Sequence, residues 1–229
     1  MKFRRRSASA AAILFLVCVG LLADGHVLPV AYAQSKMSYS GIQVERIGVT
    51  PFFKGRYGST IGDTLTCPIC QLDLDPDGVS LIADRVLTDY VHEALRIRYG
   101  DKVIPLKKAQ EAYENLPKDE SKDTPLEIAL KLGKELKADF MALGTVWKYR
   151  EGAGGAGASD RPAAVAFAVF LVDVKTGKTL WKADFSETQK SLSENILEAK
   201  GFFKKGGRWL SASELAKYGV REVFKRFPY

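Results

Sequence analysis

The stretch AAVAFAVFLVDVKTGKTLWKADFSE, residues 163–187, decides the fold. Ala163 to Val174 is apolar except for Asp173, with β-branched and aromatic residues, and reads as a strand. Asp173-Val174-Lys175-Thr176-Gly177-Lys178 reads as a hairpin turn, with Gly177 where a left-handed residue is needed. Thr179 to Glu187 returns as the next strand. Upstream, a glycine-rich loop from Glu151 to Pro162 joins this hairpin to a further strand, Phe140 to Tyr149. Long strands joined in sequence predict an antiparallel extension of a sheet.

The elements before it alternate. Ile42, Val44, Ile47 and Val49 mark a first strand over Ile42 to Pro51. Phe52 to Gly78 carries Gly, Pro, Asp and two cysteines without a period and reads as a long loop. Val79 to Tyr99 reads as an amphipathic helix. Its stripe is Ile82, Val86, Tyr90 and Leu95, widened by Leu81, Leu87, Val91 and Ala94, and it stops at Gly100. Lys102 to Ile104 reads as a short strand, and Leu106 to Leu116 as a second helix ended by Pro117. Thr124-Pro125-Leu126-Glu127 is a capping box with proline at the first helical position and opens a third helix. Ser191 with Glu194, and Ser211 with Glu214, are two more capping boxes that predict two C-terminal helices. The order β-α-β-α-α-β-β-β-α-α predicts an α/β (α+β) fold: a mixed sheet with an early β-α-β unit, paired in parallel through a right-handed crossover, and antiparallel closing hairpins.

The first 33 residues read differently. Lys2, Arg4, Arg5 and Arg6 precede an apolar run from Ala10 to Leu22, and Ala31-Tyr32-Ala33 places small residues before a cut at Gln34. This order is that of an export signal, so the expected domains are a signal over 1–33 and one mixed domain over 34–229. The expected location is outside the cytosol, in the periplasm, where conditions are oxidising. The run is short for a membrane span, and Phe15-Leu16-Val17 before Cys18 is a poor lipid-attachment pattern. Removing the signal lowers the net charge from +7 to +4, so basicity gives little reason to expect nucleic acid, and no basic run interleaved with aromatics is found.

Cys67-Pro68-Ile69-Cys70 is the sharpest candidate site, because Cys67 and Cys70 are the only cysteines after residue 33. A local disulfide that stiffens the long loop is the default in an oxidising compartment. A metal site would need further ligands, from Asp73, His92 or a second chain. A redox pair is disfavoured by Asp73, Asp75 and Asp77, which would raise a thiol pKa. Asp73, Asp75, Asp77 and Gly78, with Asp84 at the twelfth position, resemble half of a calcium loop; the competing reading is a polar turn before the helix. The glycines from Gly152 to Gly157 have dinucleotide-binding spacing, but a strand rather than a helix follows, which favours a hairpin loop. His92, the one histidine after residue 33, reads as a solvent-facing helix residue. Phe202, Phe203, Arg208 and Trp209, among Lys204 and Lys205, form either a partner-binding surface or core. No cofactor is expected.

Three segments carry a family resemblance. Ile47-Gly48-Val49-Thr50-Pro51-Phe52 followed by a long helix resembles the start of the TolB N-terminal-like envelope domains. Ala138-Asp139-Phe140-Met141-Ala142-Leu143-Gly144-Thr145-Val146 resembles their third strand, and Leu171 to Trp181 is similar to their closing hairpin. The group includes curli-secretion-pore-like and penicillin-binding-protein-activator-like domains. The resemblance spans Ile42 to Glu187 and implies a mixed α/β domain that binds envelope proteins without catalysis. The Cys67–Cys70 loop and the C-terminal helix pair depart from it, and no functional residue carries over. The expected function is therefore a secreted binding module assisting envelope assembly or transport, with envelope proteins as partners. Self-association and membrane contact stay open. The alternatives are a thiol-based redox or metal-binding protein using Cys67 and Cys70, and a subunit of an outer-membrane secretion oligomer.

Overall fold

The computed structural model describes residues 44–54, 65–67, 69, 73–74, 78–119, 122–155, 158–189 and 210–227. Its centre is a pair of long antiparallel strands, β5 (Phe140–Arg150) and β8 (Ala164–Asp173). The first nine residues of β8 are all buried, which requires cover on both faces of the sheet. The hairpin turn follows as expected. Asp173 Oδ1 accepts from the Thr176 N–H at 2.7 Å, and Gly177 takes φ +69°. The chain returns as β9 (Thr179–Thr188), which pairs with β8 along its length.

Short parallel pieces line the other side of β5. β1 (Ile47–Val49) pairs with Phe140–Ala142, β2 (Phe53–Lys54) pairs with Thr145–Val146, and Val79 forms a single bridge to Tyr149. Five strands thus make one open mixed sheet, ordered β1-β5-β8-β9 with β2 also on β5. Two short antiparallel ribbons stand apart: β3 (Leu65–Thr66) with β4 (Asp73–Leu74), and β6 (Ala153–Gly155) with β7 (Ala158–Arg161).

Four α-helices among the described residues cover the sheet. One layer is α1 (Ala83–Tyr99) with α4 (Ala212–Phe224). Leu87, Val91, Leu95, Leu215 and Val220 pack there against Val165, Phe167 and Val169. The opposite layer is α2 (Leu106–Asn115) with α3 (Pro125–Glu135), where Ile128, Leu132 and Ala109 pack on Met141, Leu143, Phe170 and Val172. Each fully buried Leu or Val contributes roughly 1.5–3 kcal/mol. The capping boxes at Thr124 and Ser211 both form, each with its side-chain and backbone bonds made reciprocally. No helix among the described residues is long and apolar enough to cross a membrane.

The structure corrects three expectations. Part of the loop expected over Phe52 to Gly78 is strand, because Phe53 and Lys54 find a partner in the distant Thr145 and Val146. Lys102 to Ile104 is not a strand: Gly100–Lys102 is a turn of 3-10 helix, and only Val103 bridges to Ile47. The buried face of α1 is the row Ala83, Leu87, Val91 and Leu95, with Thr88, while Leu81, Ile82 and Ile97 are exposed. Val86, Tyr90 and Ala94 flank that row, half-buried. The predicted helix at Ser191 lies outside the described residues.

Candidate functional site

The motif segment Ala138 to Val146 does structural work. Asp139 stands just ahead of β5, and its Oδ2 accepts from the backbone N–H groups of Arg46 (2.8 Å) and Glu45 (3.2 Å). The carboxylate thereby fixes the entry to β1, at two donors that lack strand partners. Gly144 lies under the Phe52 ring, and a Cβ there would sit 2.2 Å from Phe52 Cζ. Phe52 is held in turn by its N–H, which donates to Thr88 Oγ1 at 3.0 Å, and by an edge-on contact with Phe167. Asp139 and Gly144 therefore build the jog between β1 and β2.

A shift of register in β5 at Trp147 changes which face the following residues meet. Ala142 and Val146 lie under α1 and α4. Tyr149, at an odd position, is turned to the same side. Its phenol sits beside the helix pair where Tyr90 and Ser213 share a hydrogen bond at 2.8 Å. Burial pushes the Tyr149 hydroxyl up to about 12, opposed by Ser213 and reinforced by the nearby Glu151 and Tyr90. Glu151 Oε2 accepts from the Ala212 N–H at 2.8 Å, a carboxylate at a helix N-terminus. Gln189 completes this corner. It is 6% exposed; its Oε1 accepts from Leu210 N–H (2.9 Å) and its Nε2 donates to Leu210 C=O (2.7 Å). The chain thus leaves at Gln189 and returns at Leu210 beside the same side chain.

The far end of α4 closes with aromatics. Trp181 packs on Phe224 and Phe227, with ring centroids 5.9 and 4.6 Å away, and Arg98 lies over the Phe227 ring. Trp181 Nε1–H donates to the Arg226 carbonyl at 3.0 Å, and the Arg226 guanidinium donates to the Asp184 carbonyl at 3.2 Å. That second bond reveals the state of β9. The Asp184 carbonyl points away from β8, so the backbone groups of Lys182, Asp184 and Ser186 face the side of β9 on which no strand pairs among the described residues. That Thr179 to Glu187 forms a strand was legible in its sequence. Its place at the edge was not, because that depends on what lies beside it.

The predicted site residues fall as follows. Cys67 is fully buried, in the cluster of Phe53, Ile104 and Trp147, on the α2–α3 side. Cys70 lies outside the described residues, as do Asp75, Asp77, Phe202, Phe203, Arg208 and Trp209. The backbone of Asp73 belongs to β4. Asp84, the far end of the calcium-like spacing, is paired with Lys54 at 3.1 Å. The glycine-rich segment includes the β6–β7 ribbon, and no helix follows it before β8. His92 is not solvent-facing. It is half-buried, and its Nε2–H donates to the Ile104 carbonyl at 3.1 Å, fastening α1 to the segment that flanks β1. Burial lowers its pKa below 6.5, against the opposing pull of that hydrogen bond.

No family model matches the chain, and no curated protein matches it. Solved structures similar to it include the PelC dodecamer from Paraburkholderia phytofirmans, at 14% identity over 79% of this chain and 85% of that one, with a TM-score of 0.43. Lipoprotein GNA1162 from Neisseria meningitidis is 16% identical over 71% of this chain and 94% of that one, with a TM-score of 0.42. The LpoB C-terminal domain from Salmonella enterica is 12% identical over 66% of this chain and 87% of that one, with a TM-score of 0.38. At these identities and scores the likeness carries no residue, partner or activity to this chain.

Proposed function

We propose that this chain is an exported, non-catalytic binding module that assists assembly or transport in the bacterial cell envelope. One observation carries the reading. Five ionisable side chains are committed to holding backbone: Asp139 to β1, Glu127 and Glu214 to capping boxes, Glu151 to α4, and His92 to Ile104. Groups so committed fix surfaces in place. A general acid or base needs its proton site within reach of a substrate instead. The signal-like sequence over 1–33 supports export, and the resemblance to envelope domains supports the compartment. The thiol alternative is weakened by Cys67, whose complete burial keeps solvent and reactants from its sulphur.

In-cell crosslinking in the envelope followed by capture of the chain is expected to recover a discrete protein partner; recovery of none would count against binding. A Cys67→Ser/Cys70→Ser double variant is expected to keep its cellular role, and its loss would favour the thiol reading. Intact mass of the exported protein would report cleavage after Ala33, any lipid, and whether a disulfide has formed.

A further inference from the structure

We infer that the open edge of β9 pairs with the same edge of a second copy of this chain, antiparallel and centred on Ala183. Three observations point there. First, β9 is ten residues long and regular from Trp181 to Thr188, its one register shift falling at Leu180, and among the described residues nothing is paired with it on the side away from β8. Such an edge is a template for another strand unless it is interrupted or covered. Second, Lys182 and Asp184 are exposed, lie on one face of the strand, and have no ion-pair partner among the described residues. Third, the order of charges is self-complementary. With Ala183 opposite Ala183 of the second copy, Lys182 stands across from Asp184 and Asp184 across from Lys182. On the other face Trp181 meets Phe185. A two-fold axis demands this reciprocity.

The neighbouring registers fail. A shift that sets Lys182 opposite itself, or Asp184 opposite itself, places like charges side by side. The registers between those shifts oppose side chains from opposite faces of the sheet, which a continuous pleat excludes. The backbone agrees with the chosen register. The outward-facing groups of Lys182 and Asp184 would exchange N–H to carbonyl bonds in two reciprocal pairs. One contact stands in the way: the Arg226 guanidinium on the Asp184 carbonyl, which must swing aside. Arg226 is therefore a guard on the edge, and its removal should favour pairing.

The test is the association state of the protein purified as the cell makes it, followed by sedimentation across a concentration series to the high-micromolar range. A reversible dimer is expected. Lys182→Glu or Asp184→Lys alone turns two attractive pairs into two repulsive ones and should weaken it about tenfold or more. The double exchange should restore association to within about threefold, since the pairs are then merely reversed. Arg226→Ala should tighten it. A monomer at every concentration, Arg226→Ala included, overturns the inference. So does a dimer indifferent to the charge exchange, or slow amide exchange at Lys182, Asp184 and Ser186 in the monomer, which would mean that the edge is already covered. The assay contains no other protein. Its failure leaves the envelope-binding reading standing, and an empty crosslinking screen leaves this one standing.

Discussion

The two edges of the sheet are built on opposite plans. On one side, β5 is bordered by β1, β2 and the single bridge at Val79, with Val103 beyond β1. Among the described residues no piece there exceeds three residues. On the other side, β9 runs for ten residues, with one register shift at Leu180 near its start and Arg226 across one carbonyl. A fragmented border offers no continuous ladder to a stranger, whereas a long strand does. The fragmented side needs many side-chain ties to stay in place: Asp139 to residues 45 and 46, Thr88 to Phe52, Lys54 to the Leu81 carbonyl, and His92 to Ile104. The continuous side is held mainly by its own ladder to β8.

This difference can be broken experimentally, with effects in descending order. Gly144→Ala should be the most damaging, at about 3 kcal/mol. The new methyl meets the Phe52 ring in a buried site, and Phe52 is already fixed by Thr88 and Phe167. Chemical denaturation measures it, and a loss under 1 kcal/mol would show that the jog between β1 and β2 yields easily. Gln189→Ala strikes the end of the continuous side. It strands the N–H and carbonyl of Leu210, and a loss of about 2 kcal/mol is expected in the same assay. Asp139→Ala should cost less, about 1 kcal/mol, since its two bonds are exposed to water. Amide exchange should report the loss locally, with faster exchange at residues 45–49 and unchanged exchange in β8.

The smallest effect is pH-dependent. The folded-state pKa of His92 is lowered, so below pH 6.5 the unfolded chain takes up a proton that the folded chain refuses. Stability should fall as pH drops from about 6.5 through that lowered value and should be flat above it. His92→Gln keeps a donor for the Ile104 carbonyl and should remove this slope from the melting temperature between pH 7.5 and 5. An unchanged slope would assign the titration to another group.

Legibility in the sequence followed locality. The capping boxes at Thr124 and Ser211 could be read because every participating atom lies within four residues. The hairpin at Gly177 and the strands β5, β8 and β9 were legible for the same reason. What escaped was non-local. β2 has two residues and no pattern, and it exists because Thr145 and Val146, about ninety residues on, offer a free side. Several apolar rows on α1 were compatible with its periodicity, and tertiary packing selected the one containing Leu87 and Val91. His92 lies on the helix near polar neighbours, and only the approach of Ile104 turned it into a fastening. The charges on β9 were in plain view, but their meaning depends on an edge that a sequence does not display.

The paired hydrogen bonds of Gln189 to Leu210 carry a consequence for how this chain can change. One side chain at the exit of β9 fixes the entry to α4, and it does so through backbone atoms alone on the far side. Position 189 is therefore intolerant of exchange, whereas position 210 keeps both bonds with any side chain except proline, which has no N–H to give.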